Sequence, residues 1–414
     1  MTNKIVDVLI VGAGMVGAAA ACLLARSGFS VTVIEARQPQ AFDPSAAVGL
    51  RVSAISPGSA DVLREAGAWR QIEQQRHCAY RRMVVEDRNE SVALEFNAPE
   101  FGLERLGTIV ENHLVQWSLW QSLQSSGGME IICPDRLESL HRLDHGVLVK
   151  LESGREVQCR LLVGADGADS RVRKLLGIEQ QHWEYGQQGL VAVVETAQAN
   201  PGTAWQRFMH GGPLAFLPLQ DGTSSIVWSR SHVEARRLLE LDDEAFLSEL
   251  ELAASSDGKS WPGAMRSCGT RASFPLTMRL SQRYAGPHAA LLGDAAHVVH
   301  PLAGQGVNLG LLDAAGLVEV LIEARHKQLD IGCEKSLRKY ERWRRSEVEI
   351  MARGIHGIRG LFTPETLGPL RKLGLGLVSS SWFAKEAFIK RAAGKNRNAP
   401  ALASGTALTE LLRR

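Results

Sequence analysis

An aliphatic run from Ile5 to Val11 leads without a break into Gly12-Ala13-Gly14-Met15-Val16-Gly17. A near-continuous β-branched run is the mark of a parallel strand covered on both faces. The Ala-rich residues 18–25 predict a helix that stops at Gly28, and Val31 to Ile34 predict a second strand ending in Glu35. Strand, G-x-G-x-x-G, helix, strand and acid in this order predict a βαβ unit. Its three glycines have separate tasks: a tight turn, close backbone approach to a pyrophosphate, and close helix–strand packing. Gly12, Gly14 and Gly17 are therefore candidate pyrophosphate-facing residues, and Glu35 is placed to bind ribose hydroxyls. An acid at this position favours an unphosphorylated ribose, which leaves FAD and NAD open.

A second Gly-rich block lies near the other end, at Leu291-Leu292-Gly293-Asp294 and Gly304-Gln305-Gly306-Val307-Asn308-Leu309-Gly310. The first part reads as a buried strand ending in a turn. The second reads as a loop feeding a helix whose free N–H groups can hold an anionic or carbonyl-rich ligand. A capping turn alone accounts for Gly293-Asp294 but gives the later glycines no task. Asp294 is a candidate acceptor for ribitol or ribose hydroxyls.

A third segment decides between the two cofactors. Leu161 to Gly164 reads as a strand running into Ala165-Asp166-Gly167-Ala168-Asp169-Ser170-Arg171. With G-x-G-x-x-G first, D-G in mid-chain and G-D near 293, the order resembles the flavoprotein aromatic hydroxylases. Leu50-Arg51-Val52-Ser53-Ala54-Ile55-Ser56, Ile109-Val110-Glu111-Asn112 and the block from His300-Pro301 to Gly310 resemble the branch that acts on ubiquinone precursors. Ser225 to Ser229, Arg338 to Arg342 and Gly357 to Phe362 are most similar to the 2-polyprenylphenol hydroxylases. The similarity runs from about residue 5 to about residue 390.

The resemblance implies a tightly bound, non-covalent FAD, with NAD(P)H as co-substrate and O2 adding to the reduced flavin as a C4a-hydroperoxide. It implies a polyprenylated phenol as the ring hydroxylated. In that setting Arg51 lies beside the flavin ribityl–phosphate, and Gly306, Val307 and Asn308 present N–H groups to the flavin pyrimidine edge. Pro301 lines the flavin side, and Asp166 holds its own turn. The ordinary pKa of histidine suits proton transfer near neutrality, which makes His300 a candidate, and a structural His orienting the loop is at least as good a reading. Many aromatic hydroxylases carry Arg or Gln where Glu111 stands, which leaves its contact to the cofactor open. Trp117, Trp120, Trp205 and Trp228 read as core.

The expected fold class is α/β. A Rossmann-like FAD-binding domain of the aromatic-hydroxylase type is built from residues 1–75, 106–178 and 289–330. An interleaved, mainly antiparallel β-sheet substrate domain takes 80–105 and 183–282, a C-terminal helical region takes 334–393, and a disordered tail takes 394–414. At 414 residues the chain exceeds the size of a single core. No stretch reaches the ~18 apolar residues that span a bilayer. The N-terminus leaves no room for a leader, and six scattered cysteines indicate neither a metal nor disulfides. These points give the expectation of a cytoplasmic protein.

Residues 335–414 carry 17 Lys/Arg against 6 Asp/Glu. Basic charge mixed with apolar residues suits peripheral contact with an anionic inner-membrane surface. A solvated helix face packed on the first domain is the alternative, and both stay open. Nothing suggests nucleic acid. An NAD-dependent dehydrogenase would not need the 293–310 block, and a flavin halogenase would need a W-x-W-x-I-P motif not found here. An FAD-binding scaffold in a ubiquinone-synthesis assembly and a hydroxylase of a non-prenylated phenol remain alternatives.

Overall fold

The aliphatic runs become the centre of a mixed sheet in the computed structural model, which describes residues 5–87, 93–254, 263–300, 304–362 and 382–413. Five strands run parallel in the order β19 (Ala289–Leu291), β11 (Glu156–Gly164), β1 (Val6–Val11), β2 (Val31–Ile34) and β8 (Met129–Ile132). The short β18 (Ala285–Gly286) adds antiparallel to β19, and the hairpin β9 (Leu137–Leu143) and β10 (Gly146–Leu151) folds back on β11. Consecutive residues Val8, Leu9 and Ile10 are all buried, as are Leu161, Leu162 and Val163. Only strands covered on both faces show this pattern.

A second sheet of nine strands joins segments far apart in the chain. Its order is β20 (His297–Val298), β17 (Ala272–Ser281), β12 (Gln180–Thr196), β15 (Ser224–Ser231), β14 (Leu214–Pro218), β13 (Thr203–Phe208), β5 (Arg82–Asp87) and β6 (Ala93–Asn97), with β16 (Met265–Cys268) on β12. All its pairs are antiparallel except β13 with β5. One face is closed by α6 (His232–Glu240) and α7 (Asp243–Ala254), whose Leu238, Phe246 and Leu250 pack on Leu190, Ala192, Ile226 and Trp228. Side chains alternate along a strand, so Phe274, paired with Gly189 beside Leu190, points the other way. That face meets the first lobe: the Arg51 guanidinium lies 5.1 Å from the Phe274 ring centre. A small third sheet is formed by β3 (Val52–Ile55), β7 (Gly107–Glu111) and β4 (Cys78–Tyr80), in the order β3, β7, β4.

The helices of the first lobe are α1 (Met15–Arg26), α2 (Pro57–Glu65), α3 (Trp69–Glu73), α4 (Asn112–Ser125), α5 (Arg171–Leu175) and α8 (Gly306–His326); α9 (Glu334–Phe362) packs along α8. Trp120 and Trp228 are buried, and Trp117 and Trp205 pack against the cores. Among the described residues no helix is long and apolar enough to cross a membrane.

One expectation for the C-terminal region needs correction. The tail expected to be disordered is folded: Leu402, Ala403 and Leu408 are buried in the main core. Its backbone is tied down at Leu402 N–H to Glu319, at Leu408 N–H to Glu65, and by the ion pair Lys395–Asp61. Polar composition misleads here because a few well-spaced leucines and side-chain acceptors elsewhere supply the ordering energy. Three of the five basic residues from Arg371 to Arg391 have partners in the structure. Arg371 and Lys372 lie outside the described residues. Lys390 pairs with Glu386, Arg391 with Glu347, and Lys385 donates to the Glu95 carbonyl beside Phe96.

Glu319 makes tail docking pH-dependent. Burial pushes its pKa up to about 7, opposed by hydrogen bonds from the Leu402 and Ala401 N–H groups. A raised carboxyl pKa means that the folded state holds the proton more tightly. Its stabilising contribution is complete below about pH 4.5 and is lost as pH rises towards about 7. Glu319→Gln should therefore raise Tm at pH 8 more than at pH 5. Equal effects at the two pH values would contradict this.

Candidate active site

Three motifs remote in sequence meet at the ends of the parallel strands. Gly12 has φ +100°, and a Cβ there would sit 2.4 Å from the Ala165 carbonyl oxygen. A Cβ on Gly17 would sit 2.0 Å from the Gly12 carbonyl oxygen. These two glycines let α1 start tightly against the D-G segment. Gly14 differs: its backbone is unstrained and a Cβ there meets nothing within 4 Å. The space in front of it is open, as a ligand approaching the backbone requires. Glu35 accepts from Ala13 N–H at 2.6 Å and from Arg37 N–H at 3.0 Å, which holds its carboxylate at the lip of this loop.

The D-G segment is braced by its own acid. Asp166 accepts from Ser170 Oγ and from the N–H groups of Arg171 and Val172, capping α5. Arg173 then reaches across to donate to the Ala295 carbonyl at 3.0 Å, tying D-G to the G-D turn. Arg279, from β17, pairs with Asp169 at 2.8 Å and brings in the second sheet. The G-D turn closes on α1 and α8: Val16 lies 3.1 Å from a Cβ built on Gly293 and 2.5 Å from one built on Gly310. Asp294 is open to the cleft, yet the walls around it are protein. Desolvation raises its pKa against the opposing charges of His297, Arg51 and Arg279.

Beneath that turn lies a buried network that the sequence did not announce. Asp313, on α8, accepts from Gly293 N–H at 3.2 Å, from His297 Nε2 at 2.5 Å and from Arg344 Nε at 2.9 Å. Tyr284 stacks on His297 with ring centres 5.6 Å apart. Burial alone would raise the Asp313 pKa, but His297 and Arg344 reverse the direction and hold it below the usual carboxylate range.

The start of α8 supplies the second set of donors. Gly306, Val307 and Asn308 occupy its first turn, where N–H groups have no intrahelical acceptor. A Cβ on Gly306 meets nothing within 4 Å, matching Gly14. The Asn308 side chain is used inside the fold: it accepts from Ser56 N–H and donates to the carbonyls of Ala54 and Gly304. Asn308→Ala would leave those groups buried and unpaired, at about 1–3 kcal/mol for each lost partner. Its side chain is thus a structural bracket, and only its backbone is available to a ligand.

Arg51 is exposed at the cleft, with its carbonyl held by Asn112 N–H. Glu111 does not point free into the cleft, since Arg76 and Gly49 N–H occupy its carboxylate. His300 is buried, edge-on to Tyr185 at 5.0 Å. Pro301 lies outside the described residues. Among the described residues no His/Cys/Asp/Glu group could hold a metal ion.

Two helix N-termini opening on one cleft, glycines where a Cβ would fill it, and an acid at each rim fit a dinucleotide with a charged middle and hydroxylated flanks. With the antiparallel sheet as its cover, the arrangement defines a flavoprotein hydroxylase. The sequence matches the family model for the FAD binding domain over residues 5–353. It is 36% identical over 397 residues to the 3-demethoxyubiquinol 3-hydroxylase of Escherichia coli (strain K12), covering 95% of this chain and all of that protein. It is 35% identical over 401 residues to the ubiquinone hydroxylase UbiL of Rhodospirillum rubrum, covering 96% and 92%. The crystal structure of PqsL, a probable FAD-dependent monooxygenase from Pseudomonas aeruginosa, superposes with a TM-score of 0.72 at 25% identity, over 90% of this chain and all of the other. The chain belongs to the FAD binding domain family, as a flavin-dependent monooxygenase of its ubiquinone-biosynthesis branch. Its cofactor is FAD.

The glycines give a paired test. Gly14→Val should yield a folded protein that loses FAD, because the new branch occupies only ligand space. Gly17→Val should fail to fold, because its Cβ meets backbone. Full flavin retention by folded Gly14→Val, read by absorbance after gel filtration, would refute the assignment.

Proposed function

We propose that this enzyme hydroxylates the aromatic ring of a polyprenylated phenol or hydroquinone on the route to ubiquinone. The observation that carries the reading is the end-to-end similarity to two ubiquinone hydroxylases, with every cofactor-facing glycine in place. Reduced by NAD(P)H, FAD supplies the activation of O2 for transfer of one oxygen atom to an electron-rich ring.

The protein's part is position and exclusion of water. Gly14 would admit the pyrophosphate, with Gly12 and Gly17 letting the turn close tightly beneath it and Glu35 at the adenosine ribose. Arg51 and Asp294 would flank the ribityl chain, and the start of α8 would offer N–H groups and a positive helix end to a negatively charged reduced flavin. His300, buried against Tyr185, is our candidate for taking the phenol proton, which enriches the ring for attack by an electrophilic oxygen. The Tyr185 hydroxyl donates to Met278 Sδ. Next to Met278, a cavity of about 480 Å³ runs between β12, β17 and α9, lined by Trp183, Met278, Leu280 and Ala352 among others. Gln181, Ser281, Gln282, Arg345, Glu349 and Arg353 also line it, so the first units of a prenyl chain would lie against Trp183, Met278 and Leu280.

The 2-polyprenylphenol ring and the demethoxy ring are two substrates of this chemistry, separated by the intermediate that accumulates. A strain lacking the gene should build up a polyprenylated aromatic short of one ring hydroxyl, seen by liquid chromatography and mass spectrometry. Wild-type protein should clear it and Gly14→Val should not. An unchanged quinone profile, or accumulation of a non-prenylated phenol, would contradict the proposal.

A further inference from the structure

Between Glu35 and Arg51 the chain runs for fifteen residues without helix or strand. Both ends of this segment lie at the cofactor cleft, so what holds it determines where Arg51 sits. At its start His113 Nε2 lies 2.8 Å from the Gln40 carbonyl oxygen. Its second half is gripped by one guanidinium. Arg76, just before β4, donates to the carbonyls of Pro44, Ala46 and Ala47, and its guanidinium lies 5.1 Å from the Phe42 ring centre. The same guanidinium makes two hydrogen bonds to Glu111, at 2.6 and 3.1 Å. Glu111 in turn accepts from Gly49 N–H at 2.6 Å, two residues before Arg51.

Glu111 is buried, ends β7 and lies directly across from Val52, the residue after Arg51. An acid at this place opposes what the cleft is built to hold. A carboxylate in low dielectric acts strongly on nearby charge, and FAD brings a pyrophosphate. Arg76 is the guanidinium paired with that acid, and its planar fork can bind a carboxylate and backbone carbonyls together.

We infer that Arg76 is a positioning residue for FAD: it neutralises Glu111 and clamps the 42–49 segment, so that Arg51 faces an anionic cofactor without a competing buried charge. The inference rests on the FAD site and is independent of which phenol is the substrate. Removing Arg76 leaves the buried Glu111 charge with only the Gly49 N–H as partner; removing both side chains leaves no such charge. The pair should therefore be strongly non-additive.

The test is titration of apoprotein with FAD, followed by flavin fluorescence, with apoprotein Tm as a separate readout of folding. Arg76→Met should raise the FAD Kd by about tenfold or more. Glu111→Gln should bind FAD within about threefold of wild type, and the double variant should recover to near that level, because no charge is stranded. Arg76→Lys, which keeps the charge without the fork, should bind better than Arg76→Met and keeps the test open should the latter fail to fold. Wild-type affinity in Arg76→Met would overturn the inference. So would a folded double variant binding no better than the single one, or Arg76→Lys binding no better than Arg76→Met.

Discussion

The buried carboxylate of Asp313 is the joint on which the site depends. It takes the Gly293 N–H, the His297 ring and the Arg344 guanidinium at once, with no exposure to solvent. It therefore fixes three elements relative to each other: the turn that presents Asp294, the helix whose first turn faces the cleft, and the long helix α9. Burying such a group is favourable only when its partners are all in place. Removing one partner of a buried pair typically costs about 3–5 kcal/mol. Its pKa is depressed, so its contribution is present above the unfolded value near 3.8 and fades as pH falls below it.

Around that joint the architecture solves a specific packing problem. A flavin needs a phosphate cradle, an edge of hydrogen-bond donors and a dry cover. The parallel sheet gives the cradle at strand ends, where α1 begins. A second helix, α8, gives donors from a segment nearly three hundred residues away. The cover is the antiparallel sheet, which turns one face to α6 and α7 and the other to the cleft. Cross-links at Arg279–Asp169 and β20–β17 keep the two lobes in register, and Arg173–Ala295 ties two motifs within the first lobe. The discontinuity of the lobes in sequence follows from the need to surround one ligand from several sides.

Much of this is legible in the sequence, for identifiable reasons. Gly12, Gly14, Gly17 and Glu35 can be read because a βαβ unit places its ligand contacts within about thirty residues, where spacing is diagnostic. Gly306 can be read because a residue without Cβ at a helix start leaves room for a ligand to approach the backbone N–H groups. Side-chain partnerships cannot. Asp313 with Arg344 and Arg76 with Glu111 join residues 31 and 35 apart through the tertiary fold, and no local pattern marks them. Asn308 stands where the motif places it, yet its amide brackets Ser56 and Ala54 and serves no ligand. The tail reads as disordered when polarity is weighed above the few leucines that bury it. The basic charges near Lys385 and Arg391 suggest a surface, but their partners lie on other elements.

The central claim is that the cleft binds FAD and directs one oxygen atom from O2 into a prenylated ring. Its most direct test is a single-turnover or steady-state reaction with purified holoenzyme, NAD(P)H and a short-chain prenylated phenol under oxygen-18 gas, read by mass spectrometry. The expected result is a ring-hydroxylated product carrying one labelled oxygen atom, and no label when oxygen-18 is supplied as water instead. Label arriving from water, or NAD(P)H oxidised to yield only hydrogen peroxide with every prenylated phenol tried, would contradict it.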